Sequence, residues 1–440
     1  MTPSTNDTAI SEAGYWPWVP VTFVALRHRN YRLYWIGQIV SLVGTWMQRT
    51  AQGWLVTDLV LRFAHGAQVE PMTDWWVAVV SASAMLPVLF VSPFAGVIAD
   101  FYDKRRIIIC TQSLMAVQAV VLAWLAYTDV ISLSWLIILA LALGVISAMD
   151  VPARQGMAIE LVGRAHLPNA IAINSGVFNS ARVIGPAITG VMLAMHFSVA
   201  DAFILNAVSF IAVIAALVMM RGNFASRAEG SLVRGAYLRR TADGFRYLVN
   251  ASGVRRISIM IGVIALLVNP FVALLPSIAR YQLSSGPAQF GFLVTSFGAG
   301  AVLGSFSLAL LSGRRLHHYT LRIGYVLLIG AVIVLTQLHS IWFAYATLAV
   351  AGLGFNWVFA DSNTMIQLHV PDEMRGRAMG VYSMLNMGMY PVGTLIIGWA
   401  AKQFGASNAL LAGSLITAAI CAALFIGRPL HHPENAPNKR

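Results

Sequence analysis

The chain has 440 residues, of which 58% are hydrophobic and only 10% are charged, and its formal net charge is +12. So much apolar side chain excludes a soluble globular protein. The positive charge must therefore be located along the chain before it is interpreted as a nucleic-acid-binding surface. The composition predicts an integral membrane protein.

Twelve apolar stretches follow one another along the chain, each close to the roughly 20 residues that cross a bilayer. They lie at 33–57, 75–99, 107–127, 132–160, 168–195, 200–220, 257–281, 288–312, 320–338, 341–367, 376–401 and 407–427. The one long polar interruption divides them into six and six. The predicted organisation is an N-terminal segment 1–30, a six-helix half 31–220, a linker 221–256, a second six-helix half 257–427 and a tail 428–440.

The positive charges lie mostly on one side of this arrangement. Of the 29 Lys and Arg residues, 23 lie in the segments that share a side with both termini, and three lie in loops on the other side. Lys and Arg crowd short cytoplasmic loops. Both termini and the basic linker are therefore predicted to be cytoplasmic, and the linker is predicted to contact anionic lipid headgroups rather than nucleic acid.

The turn between the second and third spans carries five charges in the seven residues from Asp100 to Arg106. Its spacing resembles the loop signature between helices two and three of the major facilitator superfamily. Phe101 and Asp103 depart from it, because that family usually has Arg and Gly there. The resemblance implies a loop that controls conformational switching, formed by Gly96, Asp100, Lys104, Arg105 and Arg106.

An internal repeat supports the division into halves. A shift of 208 residues lays Gly185 on Gly393 and Gly190 on Gly398 without a gap. Inverted or parallel repeats of this kind are a hallmark of secondary transporters. The sequence therefore predicts an all-α membrane protein with twelve transmembrane helices in two six-helix halves.

Further stretches look like the bacterial major facilitator branch that contains the enterobactin exporter. They are Gly44–Val56, Asp150–Gln155, Leu167–Ala172, Arg182–Pro186 and Val370–Arg377. The resemblance covers nearly all of residues 27–427. It implies the major facilitator fold and a monomeric, proton-driven exporter in the bacterial cytoplasmic membrane, working by alternating access. The implied substrate is a small molecule such as a siderophore or a drug, with no enzymatic activity, cofactor or metal.

Charged residues inside spans are the candidate site residues, because each costs ~2.5–3.5 kcal/mol on insertion scales. Asp150 and Arg154 are four residues apart and can pair on one helix face. Asn363 and Gln367 share a face of the tenth span in the same way. The predicted substrate-binding and proton-coupling set is Arg49, Asp150, Arg154, Arg182, Asp361, Asn363 and Gln367. The alternative is that these charges only neutralise one another and hold helices in place.

If Asp150 neutralises Arg154, then Arg49 remains to bind an anionic ligand, and Asp361 is the preferred proton carrier. A cationic drug held by Asp361 is the alternative, with Arg49 as scaffold. Two further readings stay open at the level of the sequence. One is an importer of a small anionic nutrient, and the other is a non-transporting membrane sensor or assembly partner.

Overall fold

The computed structural model describes residues 20–221, 251–311 and 317–426, together with Arg246. Within this part of the chain the regular structure is helical and no β-strand occurs. The predicted tail 428–440 and most of the predicted N-terminal segment and linker lie outside the described residues.

The first half contains six long helices, one at each predicted span. A short 3-10 helix, Val21–Arg27, precedes them. The helices are α1 Arg29–Leu61, α2 Val69–Phe101, α3 Lys104–Tyr127, α4 Leu133–Gly163, α5 Ala165–Ala194 and α6 Val199–Val218. Asp103 begins α3 as its N-cap, accepting hydrogen bonds from the backbone amides of Arg105 and Arg106. This side chain stands where the family signature has Gly, so the departure supplies a helix cap.

The second half repeats the arrangement with two interrupted helices. The helices are α7 Gly253–Gln282, α8 Pro287–Leu311, α9 His317–Leu335, α10 Ile341–His369, α11 from Asp372 to Phe404 and α12 Ala406–Ile426. Helix α7 breaks before Phe271, where Pro270 supplies no backbone donor, and ends in a π-helical turn. Helix α11 contains a second π-helical turn over Met384–Gly388. The prediction of twelve helices in two halves is confirmed.

Ten of the described helices are long and apolar enough to cross a membrane on length and composition alone. The two that fall short are α1 and α11. Helix α1 carries Gln38, Gln48, Arg49 and Gln52 among its apolar residues, and α11 is divided by its π-helical turn. Both deviations place polar groups or irregular backbone at membrane depth, which proteins tolerate where a helix lines an internal space.

A glycine turns the chain between α4 and α5. Gly163 has φ 68° and ψ 171°, a conformation that residues with a Cβ rarely adopt. The chain therefore reverses from α4 into α5 with almost no loop. This sharp connection brings the start of α5 next to α1, where Tyr31 donates a hydrogen bond of 2.9 Å to the carbonyl oxygen of Ala170.

The two halves meet most extensively along two helix pairs, α5 with α8 and α2 with α11. Small residues allow the close approach: a Cβ on Gly291 of α8 would lie 2.6 Å from the Cα of Gly190 on α5. Likewise a Cβ on Gly398 of α11 would lie 2.2 Å from the Cβ of Ala78 on α2. Glycine at these positions brings helices of opposite halves into backbone contact.

The contacts between halves lie between the middle of the bundle and one of its ends. We call this end, which carries the loops 62–68 and 336–340, the far end. The near end carries the turn between α2 and α3. Gly176 on α5 and Gly380 on α11 lie toward the near end, and a Cβ on either would meet nothing within 4 Å. Among the described residues the halves are thus closed together at the far end.

Candidate functional site

Two arginines of the first half lie at the middle of the bundle against aromatic rings. The guanidinium carbon of Arg182 on α5 lies 4.5 Å from the ring centroid of Phe297 and 4.9 Å from that of Phe355. Trp46 on α1 lies between the two arginines, with its ring centroid 5.8 Å from the Arg182 guanidinium carbon and 5.3 Å from that of Arg49. Guanidinium groups at these distances are attracted to the ring faces.

This cluster joins the two halves. Phe297 and Phe355 belong to α8 and α10 of the second half and pack edge to face, with centroids 5.5 Å apart. Tyr390 on α11 interacts electrostatically with both Arg49 and Arg182. The arginines of one half are therefore surrounded by aromatic groups of the other, and a rearrangement of the halves must change their surroundings.

Among the described residues, no ion pair neutralises the charge of Arg49 or Arg182. In the part of the chain that the structure describes, neither guanidinium lies within ion-pair distance of a carboxylate. The Arg49 side chain is nevertheless exposed, while it contacts Trp46 and faces Tyr390 of the other half. A side chain that is exposed between the halves faces an internal space rather than lipid. The space carries two positive charges, which favour an anionic occupant.

The near-end part of α5 carries exposed polar and small residues. Asn174, Ser175, Gly176 and Ser180 are all exposed, although they lie within a transmembrane helix. Asn363 and Gln367, predicted to share a face of the tenth span, are joined by a hydrogen bond of 2.5 Å from Gln367 Nε2 to Asn363 Oδ1. Gln367 is exposed and Asn363 is partly exposed, so both remain available for polar contacts.

Asp150 and Arg154 form an ion pair inside the first half. Asp150 also accepts hydrogen bonds from Thr111 Oγ1 at 2.7 Å and from Gln112 Nε2 at 3.1 Å. Arg154 donates to the side-chain oxygen of Gln38 on α1. The pair therefore ties α1, α3 and α4 together, and both side chains are largely buried, with 15% of Arg154 and 6% of Asp150 exposed.

Asp361 lies in the matching place in the second half. It accepts a hydrogen bond from Thr320 on α9 and pairs with His317, whose Nδ1 lies 2.8 Å from Asp361 Oδ1. The Asp361 side chain is 2% exposed. It is thus directed toward α9, whereas Arg49 and Arg182 lie between the halves. The Asp361–Thr320 contact between α10 and α9 repeats the Asp150–Thr111 contact between α4 and α3.

The charged turn between α2 and α3 is largely occupied by contacts within the first half. Lys104 Nζ lies 2.6 Å from Glu160 Oε1 on α4. Arg105 donates to the carbonyl oxygen of Val218 at 2.9 Å, and Arg106 is largely exposed. Only the backbone of Gly96 and Asp100 is described, as the end of α2.

A histidine pair lies at the same end, where His28 precedes α1 and His166 begins α5. Their ring nitrogens, His28 Nε2 and His166 Nδ1, are 2.8 Å apart. Burial and the adjacent His166 lower the pKa of His28. The pair links the entry of α1 to α5.

Known proteins resemble this chain over most of its length. A family model described as a transmembrane secretion effector matches residues 20–438. The staphyloferrin A transporter of Staphylococcus aureus (strain NCTC 8325 / PS 47) is 25% identical over 379 residues, which are 85% of this chain and 90% of that protein. The multidrug efflux pump Tap of Mycolicibacterium fortuitum is 26% identical over 77% of this chain and 83% of its own.

The enterobactin exporter EntS of Escherichia coli O1:K1 / APEC is 26% identical over 384 residues, which are 84% of this chain and 85% of that protein. Among solved structures, a POT family transporter in complex with 5-aminolevulinic acid superimposes with a TM-score of 0.71. It shares 12% identity, and the match covers 91% of this chain and 96% of that one. A structural likeness at this identity concerns the fold alone.

Proposed function

Because this chain belongs to the transmembrane secretion effector family of the major facilitator superfamily, we propose that it exports a small anionic molecule in exchange for protons. Its membership makes it a multi-pass membrane transporter with the major facilitator fold, and a transporter rather than an enzyme. Relatives named as a staphyloferrin A transporter, an enterobactin exporter and a multidrug efflux pump support export of a small molecule.

The observation that carries the anionic substrate is the pair Arg49 and Arg182. Two guanidinium groups without a carboxylate partner among the described residues are costly at the middle of a membrane. An anion bound between them would remove that cost, and each guanidinium offers several fixed hydrogen-bond donors. Trp46, Phe297 and Phe355 around Arg182 would also favour an occupant with a flat apolar part.

We assign the proton to Asp361, with His317 as its partner. An aspartate held by a histidine can change its protonation during a transport cycle, because histidine generally titrates near neutral pH. A rearrangement of α10 that accompanies substrate binding would alter the Asp361–His317 distance. Proton and substrate occupancy would then be coupled. The electrochemical proton gradient would supply the energy for export.

The other predicted residues take supporting roles in this proposal. Asn363 and Gln367 offer neutral polar contacts on α10. Asp150 and Arg154 hold three helices of the first half in place, which was the alternative reading of these charges. The turn that contains Asp100 would bias the closing of the near end.

The orientation, the lipid contacts and the oligomeric state belong to the same proposal. The near end and both termini face the bacterial cytoplasm, and the basic linker 221–256 contacts anionic headgroups. The protein acts as a monomer. A reporter that is active only outside the cytoplasm, fused at residue 235 or at the C-terminus, should be silent. Activity from either fusion would contradict this topology.

Three alternatives compete with an anion exporter. An importer of a small anionic nutrient would use the same arginines, and a sensor or assembly partner would move no substrate. An exporter of cationic drugs would need a carboxylate in the space that Arg49 faces. Asp361 is buried against Thr320 and His317 instead, which disfavours the drug alternative.

The test compares metabolites in the medium and cytoplasm of a deletion strain, with and without iron limitation. The proposal expects an anionic compound that disappears from the medium and accumulates in the cells. The chain carrying both Arg49→Ala and Arg182→Ala, expressed in the deletion strain, should fail to restore release of the compound. Arg62→Ala is the matched control, because Arg62 pairs with Asp129 at the far end, where both side chains are exposed.

The outcomes separate the alternatives. A compound that accumulates in the medium would establish import, and unchanged distributions under both conditions would favour the sensor. Loss of a cationic compound from the medium would support drug efflux. If the chain carrying Arg49→Ala and Arg182→Ala restores release of the compound, the two arginines do not bind the substrate.

A further inference from the structure

Among the described residues, side-chain contacts between the halves close the far end, and four of them involve a charged or hydroxyl group. Arg280 of α7 pairs with Asp58 of α1, with Arg280 Nη2 2.5 Å from Asp58 Oδ1. The Arg280 guanidinium also lies over Trp54, 4.5 Å from its ring centroid. The other two contacts join α2 to α7: the hydroxyls of Thr73 and Tyr281 are 3.1 Å apart, and Ser277 Oγ donates to Asp74 Oδ1 at 2.5 Å.

Asp74 is the unusual member of this group. Its side chain has 0% exposure. One carboxyl oxygen accepts from Ser277, whereas the other, Oδ2, lies buried without a hydrogen-bond partner among the described residues. An ionised carboxylate in that position would leave a charge both desolvated and unpaired, which is strongly unfavourable. A protonated Asp74 avoids this cost.

Within the described ranges, no Lys, Arg or His forms an ion pair with Asp74 in the way that Arg280 does with Asp58. The acidic neighbour of Asp74 is Glu70, one turn earlier on α2. On α7, Arg280 is held by Asp58 and Trp54, and the Tyr281 hydroxyl by Thr73.

Helices α11 and α12 pack on α2 near the same carboxyl group. Lys402 of α11 follows one turn after Gly398, which packs against the backbone of Asp74 and against Ala78. The backbone amide at Ala406, the first residue of α12, also lies near the Asp74 carboxyl group. Asp150 has Arg154 and Asp361 has His317 as a basic partner within its own half, so Asp74 differs from both.

We propose that Asp74 is a proton-binding site that controls the far end: it is protonated while the halves are closed there and ionises when they separate. Separation of α2 from α7 admits water to the carboxyl group and removes the cost of ionisation. The closed state therefore binds one more proton than the open state. By linkage, acid on the far side stabilises closure, by up to about tenfold in the closed-to-open ratio per pH unit.

This role is distinct from that proposed for Asp361. The Asp74 proton arrives from the far side and returns to it, so Asp74 senses pH there without carrying a proton across the membrane. If the far end faces the exterior, as the loop charges predict, external acid would return an emptied transporter to the state that is open at the near end. Asp74 would make the opening of the far end depend on pH. Asp361 would couple export to the proton gradient.

The test measures the far-end distance between halves by spin labels in the full chain. Cys110 and Cys421 are replaced by Ser and Ala, and labels are attached through His65→Cys and His339→Cys, both exposed in far-end loops of opposite halves. We expect the population with a long distance to grow as the pH rises from about 5 to about 8. In Asp74→Asn, which mimics the protonated group, the short distance should persist throughout.

Two variants make the result specific. Glu70→Gln should keep a pH response of similar steepness, because Glu70 lies beside the site without forming the contact. Ser277→Ala should shift the midpoint to higher pH, since the lost hydrogen bond had favoured the ionised carboxylate. Each of three outcomes would overturn the proposal. The labelled parent chain could show no pH response, the Asp74→Asn variant could keep the response of the parent chain, or the Glu70→Gln variant could lose it.

Discussion

The two halves place a buried aspartate at corresponding positions but pair it with different basic side chains. In the first half Asp150 bonds to Thr111 and pairs with Arg154. In the second half Asp361 bonds to Thr320 and pairs with His317. Arginine stays protonated at every physiological pH, whereas histidine gains and loses its proton near neutrality.

A repeated fold therefore need not repeat its chemistry. A permanently charged pair suits a structural tie, because no change of pH releases it. An aspartate beside a histidine can respond to protons at the same structural position. The first half therefore provides a fixed frame, and the second half provides the group that we propose to titrate.

The largest expected effect comes from breaking the fixed pair. Asp150→Asn leaves Arg154 buried and uncompensated, and the free energy of unfolding should fall by ~3–5 kcal/mol. Removing both charges with Asp150→Asn and Arg154→Leu should recover much of this loss. Denaturant unfolding in detergent measures both, with Asp129→Asn as an exposed control expected to cost less than ~1 kcal/mol. A cost for Asp150→Asn no larger than that of the control would contradict the structural role.

The next effect separates arginines with and without a carboxylate partner. Arg182→Ala should weaken substrate binding about 10- to 150-fold, because a charged hydrogen-bonding group contributes ~1.5–3 kcal/mol, and should leave unfolding nearly unchanged. Arg154→Ala should do the reverse. Titration of purified protein with the exported compound and denaturant unfolding give the two readouts. If Arg182→Ala and Arg154→Ala lose equal affinity for the exported compound, Arg182 is not distinguished from Arg154 as a substrate-binding residue.

A smaller effect should follow when His317 of the second half is replaced by arginine, the residue type that pairs with the buried aspartate of the first half. His317→Arg gives Asp361 a permanently charged partner and should insert normally, but it removes the imidazole that we propose as the partner of Asp361 in proton exchange. Transport by the wild-type chain should vary about tenfold between about pH 5 and about pH 8, and the variant should be nearly flat. His339→Arg in an exposed loop is the matched control. A preserved pH profile in His317→Arg would show that the histidine is not the proton partner.

The smallest effect concerns the turn that only the first half carries in full. Asp100→Asn should reduce transport about two- to fivefold, because a carboxylate near the start of a helix of the opposite half contributes ~0.3–1 kcal/mol. Asp103→Asn is the control, since Asn also caps a helix such as α3 well. Wild-type flux from a correctly inserted Asp100→Asn variant would contradict a switching role.

The fold was predictable from the sequence because membrane insertion imposes a strong pattern. Spans must be apolar and about 20 residues long, so all twelve appear in the sequence and each matches a helix. The ion pair of Asp150 and Arg154 was predictable because it is local, with a spacing of four residues on one helix. Asn363 and Gln367 came together for the same reason.

The partners that come from other helices could not be predicted in this way. Phe297, Phe355 and Tyr390 lie in apolar stretches where an aromatic side chain carries no signal of its role. His317 lies near the end of a predicted span, and it gains its meaning only because Asp361 is 44 residues away and in contact. Asp74 was placed just before a predicted span, although the helix begins at Val69 and buries it.

The most direct test of the account is substrate transport in proteoliposomes that contain the purified full chain and an imposed pH gradient. With the exported compound identified in culture, the wild-type protein should move it against its concentration gradient in exchange for protons. Asp361→Asn should bind the compound with little change in affinity and lose all gradient-driven movement. Undiminished gradient-driven transport by Asp361→Asn, or transport by the wild-type chain that ignores the pH gradient, would contradict proton-driven export through the second half.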